Sequence, residues 1–125
     1  MLMLDVRKVW RSFRYAGQGI IDLFRYENNA KVHLLAAGVA LGLGLWLGLT
    51  NLEWALLTMQ IGLVWAAEAF NTALEKLADR VTTAHDPLIR ATKDLASGAV
   101  LLVAIMAVAV ALFIFVPKLA LLYTN

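Results

Sequence analysis

Between Leu95 and Val116 the chain reads LASGAVLLVAIMAVAVALFIFV, and Ser97 is the one polar side chain in that run. About 20 apolar residues suffice for a helix to cross the hydrocarbon core of a bilayer. A second such run, Leu34 to Leu49, LLAAGVALGLGLWLGL, has no polar side chain, and Ala30 to His33 extend it to spanning length. The composition agrees: 62% of the residues are hydrophobic and 16% are charged, against roughly 25% charged in an average soluble domain. The net charge of +2 is too small to argue for a nucleic-acid partner, and the absence of cysteine excludes disulfides and thiolate metal sites. The charges in MLMLDVRKVWRSFRY stand where a signal peptide needs an apolar stretch, so no signal peptide is expected.

A third span is predicted from about Glu53 to Asp79, after the short Thr50 to Glu53 connection. The whole chain, 1–125, then reads as one all-α membrane domain, with spans at about 30–50, 53–79 and 88–117. Asp86-Pro87 has the form of a helix start, Asp at the N-cap and Pro in the first turn. Pro117-Lys118 marks the expected far end of the last span. The N-terminal segment, about 5–26, is amphipathic: at 100° per residue Val6, Val9, Trp10, Phe13, Ile20 and Phe24 share a face, and Arg7, Arg11, Arg14 and Arg25 lie nearly opposite. An apolar face backed by a basic stripe fits a helix lying in the headgroup plane.

Basic residues set the expected orientation. Arg7, Lys8, Arg11, Arg14, Arg25 and Lys31 precede the first span, and Lys76, Arg80, Arg90 and Lys93 surround the second loop. The first loop carries none and the C-terminus only Lys118. The N-terminus and second loop are therefore predicted to be cytoplasmic, in a multi-pass protein of the plasma (inner) membrane. Gly38/Gly42 and Gly44/Gly48 have the small-xxx-small spacing that lets helices approach closely. They do not form a nucleotide loop, and no Walker sequence is present.

The second span carries acids. At 1.5 Å per residue, Glu68 lies roughly 21 Å along the helix from Trp54 and Glu75 roughly 31 Å, so Glu68 falls within the lipid layer and Glu75 near the cytoplasmic interface. Asn71 and Thr72, at i+3 and i+4 from Glu68, share its face. A carboxylate inside the membrane points to function. Glu68 is placed to take a proton from a weak acid, and Glu75 to offer oxygen to Mg²⁺. Glu27 supplies a second acid where the surface helix ends, and Lys93 in RATKDLASG a cation for phosphate. Such an arrangement suits phosphoryl transfer from a soluble nucleotide to a lipid hydroxyl. Two other readings compete: a small proton-coupled multidrug-type transporter using Glu68, which leaves Glu27, Glu75 and Lys93 without a role, and a pore-forming protein that needs none of these acids.

The segments EAFNTALEKLADR and ATKDLASGAVLL, with YENNAKVH before the first span, resemble the signatures of the prokaryotic diacylglycerol kinase family, which includes the undecaprenol kinases. The order and spacing agree from about Lys8 to Phe115, with Thr92 standing where Ala is commoner. The resemblance implies a homotrimeric bundle of three-span subunits, each with a surface helix, that transfers the γ-phosphate of ATP to a membrane lipid alcohol with Mg²⁺. It implies Glu68 as the base and Asn71 as a residue ordering the site, with Glu27 and Glu75 as metal ligands that also meet the nucleotide. Lys8, Tyr15, His85, Asp86, Lys93 and Asp94 are implied as ATP contacts, and Ser97 as a neighbour of the lipid. YENNAKVH and NLEWALL look more like the undecaprenol kinase branch, and a groove along Gly38, Gly42 and Leu45 is expected to admit one polyprenyl chain. His33, alone of its kind in this stretch, is read as structural.

Overall fold

The computed structural model describes residues 3–124, so the first two residues read for a signal peptide lie outside it. Among the described residues every regular element is an α-helix: α1 Val6–Tyr26, α2 Asn28–Leu47, α3 Asn51–Val81 and α4 Pro87–Thr124. Asp5 caps α1 by accepting from the Lys8 backbone N–H at 3.1 Å. Trp10 and Phe13 on its apolar face are exposed and Leu23 is buried. Phe24 meets the ring of Trp65 on α3 edge-on, with centroids 5.2 Å apart. The amphipathic helix is thus anchored to the bundle at its C-terminal end and presents the rest of its apolar face outward.

Glu27 alone separates α1 from α2, in extended conformation (φ −96°, ψ 118°). Its N–H bonds back to Leu23 and its carbonyl accepts from Lys31, so one residue closes the first helix and opens the second. Gly48 ends α2 at φ +76°, a conformation glycine adopts without steric penalty. A capping box then starts α3. The Thr50 hydroxyl accepts from Glu53 N–H at 3.2 Å, and the Glu53 carboxylate accepts from Thr50 N–H at 3.0 Å. Asp86 caps α4 through Leu88 and Ile89 N–H.

Two helices, α2 and α4, are long and apolar enough to cross a membrane. The longest packing is between α3 and α4, joined by the short turn 82–86. Along α3 the buried positions Leu57, Val64, Asn71 and Ala78 recur every seven residues, interleaved with Ile61, Glu68 and Glu75. That is the spacing of a helix seam facing its neighbours. The polar residues therefore continue an apolar stripe, which is why Glu68 is buried. At the opposite end from the acids, Leu57, Ile114 and Phe115 form a core with Leu43, Leu47 and Trp54 around it.

One sequence expectation needs correction. Pro117 does not end the last helix, which continues through it to Thr124. A proline inside a helix costs about 3 kcal/mol in isolation, but in spanning helices neighbouring groups and local adjustment make it tolerable. The continuation brings Lys118 Nζ within 3.0 Å of Glu53 Oε1, tying the end of α4 to the first turn of α3. Gly38, Gly42 and Leu45 are exposed, and nothing lies within 4 Å of a Cβ built on Gly38 or Gly42. An apolar cleft of about 180 Å³ runs along another face of α2, past His33, Ala36, Ala37 and Ala40.

Close approach belongs to Gly44. A Cβ there would stand 2.8 Å from Trp54 and 2.9 Å from Leu49. Gly44→Ala gains about 1 kcal/mol of helix propensity but meets an overpacking cost of about 1–3 kcal/mol. Thermal unfolding in detergent should therefore show Gly44→Ala below wild type and Gly42→Ala at or above it. The reverse order would place the tight contact elsewhere.

The chain exposes 9721 Å², whereas a compact soluble monomer of 13.7 kDa exposes about 6,600 Å². Much of the excess is Leu, Ile, Val and Phe, a surface that needs lipid or other protein against it.

Candidate active site

The Glu68 side chain is 2% exposed and is the largest fully buried side chain among the described residues. It reaches this position because α3 carries it on the seam facing α2 and α4. Nε2 of His33, on α2, lies 3.2 Å from Glu68 Oε1. The distance is that of an ion pair or hydrogen bond, but the N–H is not in line, and Oε1 has no aligned donor among the described residues. Asn71, one turn further along α3, is also buried, and its Oδ1 likewise lacks a donor. Two buried acceptors side by side on one stripe are costly to leave unpaired, about 1–3 kcal/mol each. A ligand carrying O–H groups would satisfy them.

The other predicted residues lie around this point. Glu75, half-buried, is two turns beyond Glu68 on the same helix, and Glu27 stands half-buried at the α1–α2 junction. Both are near enough for their charges to act on Glu68. A cleft of about 330 Å³ between α1 and α3 is lined by Glu27, Asp22, Thr72 and Lys76 among others. A second cleft of about 260 Å³ at the α3–α4 turn brings together His85, Asp86, Arg90 and Lys93. The Lys93 ammonium is held by the carboxylate of Asp79, and Asp94 pairs with Arg90 one turn back, at 3.2 Å. Asp86 spends one oxygen on capping α4. Lys8, Tyr15 and Ser97 are exposed, the first two on α1 and the last in the third turn of α4. Of the predicted site residues, Glu27 lines the first cleft and His85, Asp86 and Lys93 the second, so within one chain they are not gathered into a single pocket.

No group of three or more His, Asp or Glu among the described residues is arranged to hold a metal ion alone. That donor set still fits Mg²⁺, which is usually bound through one or two carboxylates together with waters and substrate phosphates. Glu27 and Glu75, the carboxylates expected to hold it, are both half-buried. Sequence reasoning missed two partners, His33 of Glu68 and Asp79 of Lys93. Both contacts join different helices, so no local spacing announces them. Asp79 lay within the quoted EAFNTALEKLADR, but its pairing required the α3–α4 hairpin.

The family model described as prokaryotic diacylglycerol kinase matches residues 14–115. The undecaprenol kinase of Bacillus subtilis is 37% identical over 115 residues, covering 92% of this chain and 94% of that protein. The diacylglycerol kinase of Synechocystis sp. is 36% identical over 109 residues, 86% of this chain and 62% of that protein. The diacylglycerol kinase of Haemophilus influenzae is 32% identical over 89 residues, covering 71% of this chain and 75% of that protein.

Proposed function

The chain belongs to the prokaryotic diacylglycerol kinase family, and we propose that it transfers the γ-phosphoryl group of ATP to the hydroxyl of a membrane lipid alcohol, undecaprenol ahead of diacylglycerol. The observation that carries this reading is the buried Glu68 carboxylate, set on the α3 seam with Asn71 beside it and Glu75 two turns away. Glu68 takes the proton of the lipid hydroxyl. The lipid oxygen forms a new bond to the γ-phosphorus, the bond from that phosphorus to the β–γ bridging oxygen breaks, and ADP leaves. Asn71 orders the site through its buried amide. Glu27 and Glu75 would hold Mg²⁺ together with phosphate oxygens, and the ion would supply charge neutralisation on the transferring group. Lys93, exchanging Asp79 for phosphate, adds a second positive charge. Lys8, Tyr15, His85, Asp86 and Asp94 meet the nucleotide, and Ser97 lies near the lipid.

This reading makes α3 a third span beside α2 and α4, with the N-terminus and the α3–α4 turn in the cytoplasm of a plasma-membrane protein. At 31 residues α3 is about 46 Å long, enough to cross the core and carry Glu75 out to the interface. Gln60, Glu68 and the charged last turns reduce its apolar character, as a span that carries a site must accept. A homotrimer accounts for the excess exposed surface and for two clefts that stay apart in one chain: a neighbouring copy would supply walls to each.

The proposed acceptor is supported by the likeness to the Bacillus subtilis undecaprenol kinase along nearly the full length of both chains. Labelled ATP and a panel of lipid alcohols presented to the purified protein in one micelle type test both parts. Label should enter the lipid, with a higher kcat/KM for undecaprenol than for diacylglycerol. A tenfold preference for diacylglycerol, about 1.4 kcal/mol in transition-state binding, would overturn the acceptor assignment, and label in no lipid would overturn the kinase.

A further inference from the structure

We propose that His33 is the residue that positions Glu68: its Nε2–H donates to Glu68 Oε1 and so turns the second oxygen, Oε2, toward the incoming lipid hydroxyl. The inference rests on the lipid-kinase reading and deepens it.

The geometry starts from isolation. Glu68 lies 2% exposed in a stripe of apolar side chains, and a carboxylate there has few ways to be held in one orientation. The chain's other acid–base contacts are already spoken for: Lys93 with Asp79, Arg90 with Asp94 and Lys118 with Glu53. His33 Nε2, at 3.2 Å, is the remaining donor brought to Glu68 among the described residues. The titratable groups that act on Glu68 are His33 on α2, Glu27 at the α1–α2 junction and Glu75 on its own helix. Two of those three neighbours are acids that repel the carboxylate. Of the three, His33 alone offers the carboxylate an N–H.

His33 is also suitably placed to act through Glu68 rather than in its stead. It is 24% exposed against 2% for its partner, and it borders the apolar cleft between α2, α3 and α4. The Nε2–H makes no aligned bond to Oε1 here, so the role requires the ring to turn as substrate binds. Hydrogen bonds at catalytic groups often tighten only when substrate is bound. During transfer one proton moves, from the lipid hydroxyl to Glu68, and His33 keeps its own. The neutral imidazole with hydrogen on Nε2 suffices, since the role is to fix an oxygen.

Three variants separate this role from packing. His33→Gln retains an N–H donor, His33→Leu retains bulk without a donor, and His33→Ala opens space for added imidazole. Positioning predicts kcat within about threefold of wild type for Gln and lower by about tenfold or more for Leu, with KM for Mg-ATP within about twofold in both. Imidazole in the buffer should restore part of the rate to His33→Ala and none to Glu68→Gln. Gel filtration in detergent and circular dichroism report folding; if His33→Leu fails to fold, the Gln variant and imidazole rescue decide alone. Equal activity of Leu and Gln, or a rise in KM for Mg-ATP matching the fall in kcat, would overturn the assignment, as would no rescue of His33→Ala. A wild-type protein that labels no lipid sinks the kinase reading itself, whereas an active wild type with indistinguishable variants sinks only the role of His33.

Discussion

Glu68→Gln is expected to lower turnover by about 10³-fold, within the range for loss of a general base, while Mg-ATP binds nearly as in wild type. The substitution keeps the volume and one oxygen but removes the proton acceptor, so the lipid hydroxyl meets an amide. Binding should survive because the proposed metal and nucleotide contacts are elsewhere: Glu27 at the helix junction, Glu75 two turns along α3, Lys93 at the start of α4. Stability should survive as well, since an amide is easier to bury than a carboxylate. The informative experiment measures phosphate transfer and nucleotide affinity on the same sample. A loss of ATP affinity as large as the loss of rate would show that Glu68 holds the nucleotide or its metal, and the division of labour along α3 would have to be redrawn.

Much of the candidate site was open to reading because Glu68, Asn71 and Glu75 lie along one helix. Glu68, Asn71 and Glu75 are bound to a common face by the helical repeat, whatever the rest of the chain does, and the position of each along the helix follows from a fixed rise per residue. Family membership was legible for the same reason: its signatures are short, local and in order. Contacts made between helices were not legible. His33 looks like a solitary polar residue until α2 is laid beside α3, and Asp79 looks like one more acid until the turn at 82–86 returns Lys93 to it. The glycines show the limit from the other side. Spacing identified Gly38, Gly42, Gly44 and Gly48 as small residues but carried no information on which face would meet a partner, and within the chain Gly44 alone makes the tight contact. Pro117 misled because its local effect is to stop a helix, whereas the remaining turns are retained where Lys118 can pair with Glu53.

Glu75→Gln and Glu27→Gln should behave differently from Glu68→Gln. Each removes one of the two carboxylates proposed for Mg²⁺ and leaves the proposed proton acceptor intact. Since a Mg²⁺ site of this kind is completed by phosphate oxygens, losing one carboxylate should weaken metal use without abolishing it: the Mg²⁺ concentration for half-maximal rate should rise by about tenfold or more, and excess Mg²⁺ should restore part of the lost turnover. The two positions also differ from each other. Glu75 is fixed on the rigid α3 helix, whereas Glu27 sits on the single extended residue between α1 and α2. Its carboxylate is therefore placed by the angle between those helices, and a change at the junction that leaves Glu27 itself untouched should raise the Mg²⁺ requirement too. Tyr26→Gly supplies such a change, by loosening the last turn of α1 and removing the ring under the Arg25 guanidinium. Titrating Mg²⁺ at saturating ATP and lipid for all three variants separates the cases. If neither carboxylate variant regains activity at high Mg²⁺ while Mg-ATP binding is normal, these acids are not the metal ligands; if Tyr26→Gly leaves the requirement unchanged, the junction does not set the reach of Glu27.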